Sequence, residues 1–364
     1  MIDTEIARQR LVNQRIEGEK FEKPEEVVRW LGAMQAQDYP QALWAIGLRL
    51  RSATVADVEQ AIADGKIVRT WPMRGTLHFV PPEEARWRLK LSASRILARD
   101  GRRLEQLGLD RGIMERCREL FYEALKGNRR LTRPEMMQVL EEAGIATKNQ
   151  RGYHILWYLS QEGVICPGPN RGKQQTFVLL DEWVPASIEL SREESLAELA
   201  RRYFASHGPA TVHDLAWWAG LTVTDARSGL EAALPGLVSE KIDGKDYWMA
   251  GDAPDHTAHD GSTVHLLPAF DEYLLGYKDR GAVLDAEEAQ RVVPGKNGIF
   301  FPTIVVGGRV VGTWKRKLKK NSVDITLSPF APRDDPGERA MEPARSYGDF
   351  VGLPLSESRV THDV

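Results

Sequence analysis

Hydrophobic and polar positions in the first part of the chain follow a helical period and then alternate as in strands. Apolar residues recur at helical spacing over residues 4–18, 24–37 and 54–62, which predicts three helices. Alternating positions rich in β-branched residues follow over 67–71 and 76–80, which predicts two strands. A short turn segment separates the strands, so they should form a β-hairpin. Helices followed by a hairpin are typical of a winged helix.

The same order of elements returns twice farther along the chain. The second copy comprises two helices and a hairpin whose turn we place at 168–172, over residues 131–143, 150–161 and 164–183. The third copy comprises a helix over 192–206, a helix that begins at Thr211, a helix over 222–234 and a hairpin around Asp243-Gly244. The sequence therefore predicts three winged-helix units in tandem.

After residue 253 the pattern changes to strands. Residues 302–306 and 309–314 should pair across Gly307-Gly308, a further strand is expected over 322–327, and the tail should hold at most one helix, over 337–350. The predicted fold class is α+β, in which three tandem winged-helix units precede a small C-terminal α/β cap. The predicted domains are the three winged-helix units and the β-rich cap with its tail, over residues 1–105, 106–188, 189–252 and 253–364.

The formal net charge of −3 hides two cationic segments. Residues 86–103 hold seven basic residues against one acid, and residues 307–322 hold six against none. Each could be a solvated helix face or an edge strand protected by lysines. Beside three winged helices, contact with DNA phosphates is the better interpretation, and binding should weaken steeply with salt.

Composition excludes several other classes of protein. With 42% hydrophobic and 28% charged residues, the chain is expected to be globular, and without a leader-like or membrane-length apolar run it is expected to be cytoplasmic, acting at the nucleoid. Cys117 and Cys166 lack partners at metal-ligand spacing. We therefore expect two reduced thiols, no metal site and no cofactor.

Two neutral amides, Gln35 and Gln37, are the first candidates for chemistry. They stand about 200° apart on a continuing helix, so they could serve one site only if the helix ends at or between them. Their structural interpretation is hydrogen bonding at a helix end. They precede the hairpin that carries Arg74, Gly75 and His78, where the histidine could equally be an ordinary strand residue.

Four blocks in this order resemble the AlkZ/YcaQ-type DNA glycosylases, tandem winged-helix proteins that excise alkylated bases. The blocks lie at residues 31–37 (LGAMQAQ), 73–80 (MRGTLHFV), 266–273 (LLPAFDEY) and 310–314 (VVGTW). The resemblance implies a catalytic glutamine-hydrophobic-glutamine triplet, here Gln35-Ala36-Gln37, of the AlkZ branch. It also implies contacts with DNA, which we expect from Arg69, Arg74, Gly75, His78, Lys278, Arg280, Lys315, Arg316 and Lys317.

A pair of neutral amides is sufficient when the base is already a good leaving group. A purine alkylated at N7 or N3 is cationic and departs neutral, so the enzyme has only to place a water and stabilise positive charge on the sugar. The triplet holds no lysine that could form a Schiff base, so a monofunctional glycosylase is expected. The expected partner is duplex DNA with alkylated purines, including bulky or crosslinked adducts, bound by a monomer.

Alternatives remain open at this point. The chain could be a non-enzymatic winged-helix transcription regulator, or a DNA-damage binder without turnover. Asp271 and Tyr273 could serve a turn and a core rather than DNA, and Tyr153, His154 and Trp157 are expected to be core residues rather than a stacking platform.

Overall fold

The computed structural model describes residues 3–254, 261–296 and 298–361 and has a mixed α+β fold. The helices are α1 (Asp3–Asn13), α2 (Pro24–Leu31), α3 (Tyr39–Gly47), α4 (Val55–Ala63), α5 (Ala85–Gln106), α6 (Arg111–Leu125), α7 (Arg133–Glu142), α8 (Arg151–Gln161), α9 (Leu180–Trp183), α10 (Arg192–His207), α11 (Val212–Ala219), α12 (Val223–Ala233), α13 (Glu272–Leu275), α14 (Ala289–Val292) and α15 (Met341–Val351). The strands are β1 (Met34–Gln35), β2 (Val68–Met73), β3 (Thr76–Val80), β4 (Leu131–Thr132), β5 (Ile165–Arg171), β6 (Gln174–Leu179), β7 (Leu237–Ile242), β8 (Lys245–Ala250), β9 (Val264–Leu267), β10 (Thr303–Val306), β11 (Arg309–Leu318), β12 (Val323–Pro329) and β13 (Leu355–Val360).

The chain divides into two compact units. The terminal unit joins residues 1–58 to residues 196–364, and the central unit comprises residues 59–195. In the described residues, no helix is long and apolar enough to span a bilayer.

The core of the terminal unit joins the two ends of the chain. Ile6 and Leu11 of α1 pack in one buried cluster with Leu267, Tyr273 and Val305. The cluster lies against a sheet with the strand order β13-β12-β11-β10-β9. The first helix is thus buried by the C-terminal sheet, which fixes the start of the chain.

The hairpin predicted at Gly307-Gly308 is confirmed. Val306 pairs with Arg309, and both glycines have positive φ, 56° and 87°. Only glycine adopts such angles at no steric cost, so the two residues define the turn. The hairpin at Asp243-Gly244 is also confirmed, because Ile242 pairs with Lys245.

The tail holds the expected helix and one strand that was not predicted. Strand β13 adds to the sheet in parallel with β12 and pairs with Val323–Leu327, with a shift in register between Val323 and Asp324. The sequence of β13, Leu-Ser-Glu-Ser-Arg-Val, is mostly polar and resembles a solvated tail. A partner strand rather than its own apolar pattern makes this segment extended.

The central unit contains α5–α9 and the hairpins β2–β3 and β5–β6. Its core includes Trp71, Phe121, Trp157 and Phe177. The turn of the second hairpin is Gly172-Lys173, since Arg171 pairs with Gln174, so its predicted position at 168–172 was too early. The prolines around Gly168 suggested a turn, but β5 lies at the edge of its β4-β6-β5 sheet, where proline is tolerated.

Candidate active site

The segment that carries the two amides is extended rather than helical. Helix α2 ends at Leu31, and its C-terminal residue Gly32 has φ 77° and donates its N–H to the carbonyl of Val28 at 2.8 Å. The expectation that this helix continues to Gln37 was therefore wrong, because the glycine stops it first. Strand β1 follows and ends at Gln35, and Gln37 lies in a bend before the next helix.

A helix that the pattern did not predict closes this segment. Asp38 caps α3 by accepting the N–H of Gln41 at 3.3 Å, and Pro40 occupies the first turn of α3. A proline disfavours a helix that precedes it, but in the first turn of a helix it lacks only a donor that the turn does not need. Helix α3 is anchored in turn, because the indole of Trp44 donates to the carbonyl of Leu266 at 2.9 Å.

The two glutamines differ in exposure. Gln35 is 9% exposed and lies between buried Met34 and Ala36, whereas Gln37 is exposed. The segment thus presents one amide at the surface and the other just beneath it.

A buried carboxylate holds the backbone of this segment. Glu272, the first residue of α13, is 1% exposed and accepts the N–H of Gln35 at 3.0 Å through Oε1. Its Oε2 accepts the indole N–H of Trp218 at 2.8 Å. Sequence reasoning assigned no role to Glu272, although two adjacent acids in the largely apolar block at 266–273 were a signal for one.

The neighbouring carboxylate is structural, as one of the two interpretations had it. Both oxygens of Asp271 receive hydrogen bonds from the buried guanidinium of Arg49, each at 2.9 Å, and Oδ1 also accepts the N–H of Tyr273. The fully buried hydroxyl of Tyr273 lies 3.0 Å from the carbonyl of Ala7 and 2.6 Å from that of Gly308. This block therefore ties α1, α3 and the C-terminal sheet together.

His207 completes the surroundings of Glu272. Its Nε2 lies 3.5 Å from Oε2 of Glu272, and its ring stacks on Tyr203 with the centroids 4.8 Å apart. Complete burial lowers the pKa of His207, which outweighs the opposing effect of Glu272. His207 is accordingly neutral at neutral pH.

The hairpin of the central unit gives His78 and Arg74 different positions. Arg74 and Gly75 form its two-residue turn with φ of 55° and 74°, as a type I′ turn requires. His78 is fully buried, with Nδ1 2.8 Å from the carbonyl of Thr76 and Nε2 3.2 Å from Nη2 of Arg74. The imidazole donates through Nδ1 and accepts from the guanidinium, so His78 orients Arg74.

An aromatic cavity of about 310 Å³ adjoins this hairpin. It is lined in part by Trp71, Leu77 and Trp157, with Tyr153 among its walls. Trp157 is in the core as predicted, whereas Tyr153 is 44% exposed. Arg69, 8% exposed, donates from Nη1 to Oε1 of Gln175 at 3.1 Å, which places a cation beside this cavity.

The predicted DNA-contact residues of the terminal unit fall into two groups. Lys278 is exposed, whereas the guanidinium of Arg280 lies 4.9 Å from the ring of Phe300 and its Nε donates to Leu274. On β11, Lys315 and Lys317 are exposed, whereas Arg316 on the other face lies 5.8 Å from the ring of Tyr347. The three lysines therefore present charge to solvent, and the two arginines pack against aromatic rings.

Ion pairs occupy part of the cationic segment at 86–103. Arg86 pairs with Asp181, Arg88 with buried Glu84 at 2.7 Å, and Lys90 with Glu189 at 2.5 Å. The basic side chains in the first turns of α5 are thus paired with acids within the protein. In the described ranges, no cluster of His, Cys, Asp and Glu side chains could hold a metal ion.

Comparisons with known proteins show which family the chain belongs to. A sequence model of a family described as "DNA glycosylase AlkZ-like" matches residues 28–346. The chain is 27% identical over 329 residues to the "Interstrand DNA cross-link repair glycosylase" of Streptomyces sahachiroi, covering 84% of this chain and 85% of that protein. It is similar in fold to the solved structure of Streptomyces sahachiroi DNA glycosylase AlkZ, with a TM-score of 0.82 and 24% identity over 98% of this chain and 99% of that one. The chain belongs to the AlkZ-like family of DNA glycosylases.

Proposed function

We propose that this DNA glycosylase hydrolyses the N-glycosidic bond of purines alkylated at N7 or N3, and that Gln35 and Gln37 hold the attacking water. The observation that carries the proposal is the non-helical segment between α2 and α3, in which Glu272 fixes the backbone of Gln35 and Gln37 reaches the surface. Because the helix ends before Gln35, the separation of about 200° that a continuing helix would impose on the two amides does not apply.

The two amides have only to position a water and stabilise positive charge on the sugar. A cationic alkylpurine leaves without protonation, so no general acid is needed. Amide carbonyls can accept hydrogen bonds from the water and direct their dipoles towards the positive charge that develops on the sugar. With no lysine in residues 35–37, the product is an abasic site and the enzyme is monofunctional.

DNA would be held by cationic side chains. We assign phosphate contacts to Arg74, Lys278, Lys315 and Lys317, and read the repeated helices and hairpins as three winged-helix units acting in one monomer. The relative from Streptomyces sahachiroi is named for repair of interstrand crosslinks, which supports a substrate range that extends to bulky adducts.

The test is release of 7-methylguanine from a defined duplex under single-turnover conditions. Native protein should release the base, and Gln35→Ala and Gln37→Ala should each slow release by about 100-fold, as expected for loss of a positioned reactant. Gln138→Ala, which alters an exposed glutamine on α7, is the matched control. Undiminished release by both active-site variants would remove the pair from the mechanism.

Lesion range needs a second substrate. A gel assay should compare the methylated duplex with one that carries an interstrand crosslink between N7 positions. Cleavage of both supports the wider range, and cleavage of the methylated duplex alone restricts it. Binding without release by the native protein would contradict an enzymatic role on these lesions.

A further inference from the structure

We propose that Glu272 is a positioning residue of the glycosylase reaction, whose buried carboxylate fixes the reactive segment through the N–H of Gln35. This inference rests on the proposed role of Gln35 and Gln37. It adds a group 237 residues away in sequence that does not itself touch the substrate.

The hydrogen bonds of Glu272 come from two different parts of the terminal unit. Oε1 accepts from the backbone of Gln35 at 3.0 Å, and Oε2 accepts from the indole of Trp218 at 2.8 Å. Hydrogen bonds to an ionised acceptor are stronger than those between neutral groups. Glu272 thus joins strand β1 to helix α11.

The charge of Glu272, and not only its size, is what this arrangement needs. An ionised carboxylate accepts through both oxygens, whereas glutamine at this position would turn an NH₂ group towards one of the two donors. Burial of a carboxylate is costly, and the N–H groups of Gln35 and of the Trp218 indole offset part of that cost. A group kept at such a cost, directly behind the proposed water-binding pair, is suited to a role in the reaction.

The backbone before Glu272 supports the same conclusion. Phe270 has φ 60°, a left-handed conformation that is unfavourable for a residue with a bulky side chain. The turn it makes directs Asp271 to Arg49 and Glu272 to Gln35. Strain of this kind persists where surrounding contacts fix it, and it is frequent at functional sites.

Two consequences for the reaction follow. A fixed Gln35 backbone sets where the extended segment aims its side chains, and a misplacement of about 1 Å can cost about 100-fold in rate. The indole of Trp218 in turn holds Oε2 of Glu272, so loss of that donor should loosen the same segment.

The experiment compares Glu272→Gln and Trp218→Phe with native protein in single-turnover release of 7-methylguanine, in equilibrium binding of the same duplex and in thermal unfolding. We expect release to slow by about 100-fold in Glu272→Gln and by about 10-fold in Trp218→Phe, with the dissociation constant for DNA within about 2-fold of native. Glu198→Gln alters a carboxylate bound to Arg201 and Arg202 on α10 and should release the base at the native rate.

Each outcome decides. A native release rate in both variants overturns the inference, and so does a loss of rate that matches the loss of folded protein. If Glu272→Gln does not fold, Trp218→Phe is the test, and slower release with unchanged affinity for DNA supports the inference. The proposed function fails separately, when Gln35→Ala and Gln37→Ala both release the base at the native rate.

Discussion

At the scale of single residues, two basic side chains link segments of the terminal unit. The ammonium of Lys20 donates to the carbonyl of Ile16 at 2.5 Å and to that of Leu48 at 2.7 Å, which joins the end of the α1 segment to the end of α3. Burial, with the charge of Arg49 beside it, lowers the pKa of Lys20 to about 7. Asp271 and Arg49 form a fully buried ion pair nearby.

Lys20 should make stability depend on pH. The folded protein releases the lysine proton near pH 7, whereas the unfolded chain keeps it up to the ordinary pKa of 10.5. The unfolded state therefore binds more protons in this window, and the free energy of unfolding should rise with pH, by at most about 1.4 kcal/mol per pH unit. Urea denaturation between pH 7.5 and 9.5 should show a smaller rise in Lys20→Met than in native protein. Equal pH dependence in the two proteins contradicts the assignment.

Removal of one partner of the Arg49–Asp271 pair should be strongly destabilising. Asp271→Asn leaves a fully buried guanidinium without its carboxylate, so we expect the free energy of unfolding to fall by about 3–5 kcal/mol. Arg49→Met combined with Asp271→Leu removes both charges and should recover much of the loss. Chemical denaturation of the three proteins measures both effects, and a double variant no more stable than Asp271→Asn would speak against charge as the cause.

At the scale of elements, side-chain caps start the helices that the sequence placed well. Thr54 caps α4 and Thr211 caps α11. In each cap the threonine hydroxyl accepts the backbone N–H of an acid three residues later, and the carboxylate of that acid accepts a hydrogen bond from the threonine. These signals involve neighbours in sequence, so they could be read without the fold. The end of α2 and the presence of α3 were predicted wrongly. A glycine such as Gly32 can lie within a helix or end it, and a proline such as Pro40 can end a helix or occupy its first turn.

The two caps should differ in strength according to burial. Thr211 is 7% exposed and its partner Asp214 also accepts the N–H groups of Lys278 and Asp279, whereas Thr54 and Asp57 form an exposed cap. We expect Thr211→Ala to cost about 2 kcal/mol and Thr54→Ala about 0.5 kcal/mol. Urea denaturation at one pH compares them, and equal losses would show that burial does not matter here.

At the scale of the whole molecule, a slightly acidic chain presents local positive charge. The net charge is −3, yet Lys315 and Lys317 are exposed on β11. The ion pairs of α5 show that a segment rich in basic residues need not present a positive surface in the folded protein. The division of the chain at residues 105, 188 and 252 stays a prediction, alongside the observed compact units.

DNA affinity should depend on salt through these lysines. Replacing both Lys315 and Lys317 by Gln should lower affinity for any duplex and reduce the slope of log K against log salt concentration by about 2, since each phosphate contact contributes about 1. Lys66→Gln, which alters an exposed lysine paired with Asp64, is the control. Fluorescence anisotropy at several salt concentrations measures the slope, and an unchanged slope removes β11 from the DNA interface.

The sequence by itself determined what depends on neighbours along the chain. The turns at Asp243-Gly244 and Gly307-Gly308, the caps at Thr54 and Thr211 and the family blocks all rest on short-range chemistry. Only the tertiary structure decided which distant segments meet. The burial of α1 by the C-terminal sheet, the parallel addition of β13 and the hydrogen bond from Gln35 to Glu272 depend on packing between segments far apart in sequence, and no local pattern encodes such pairings.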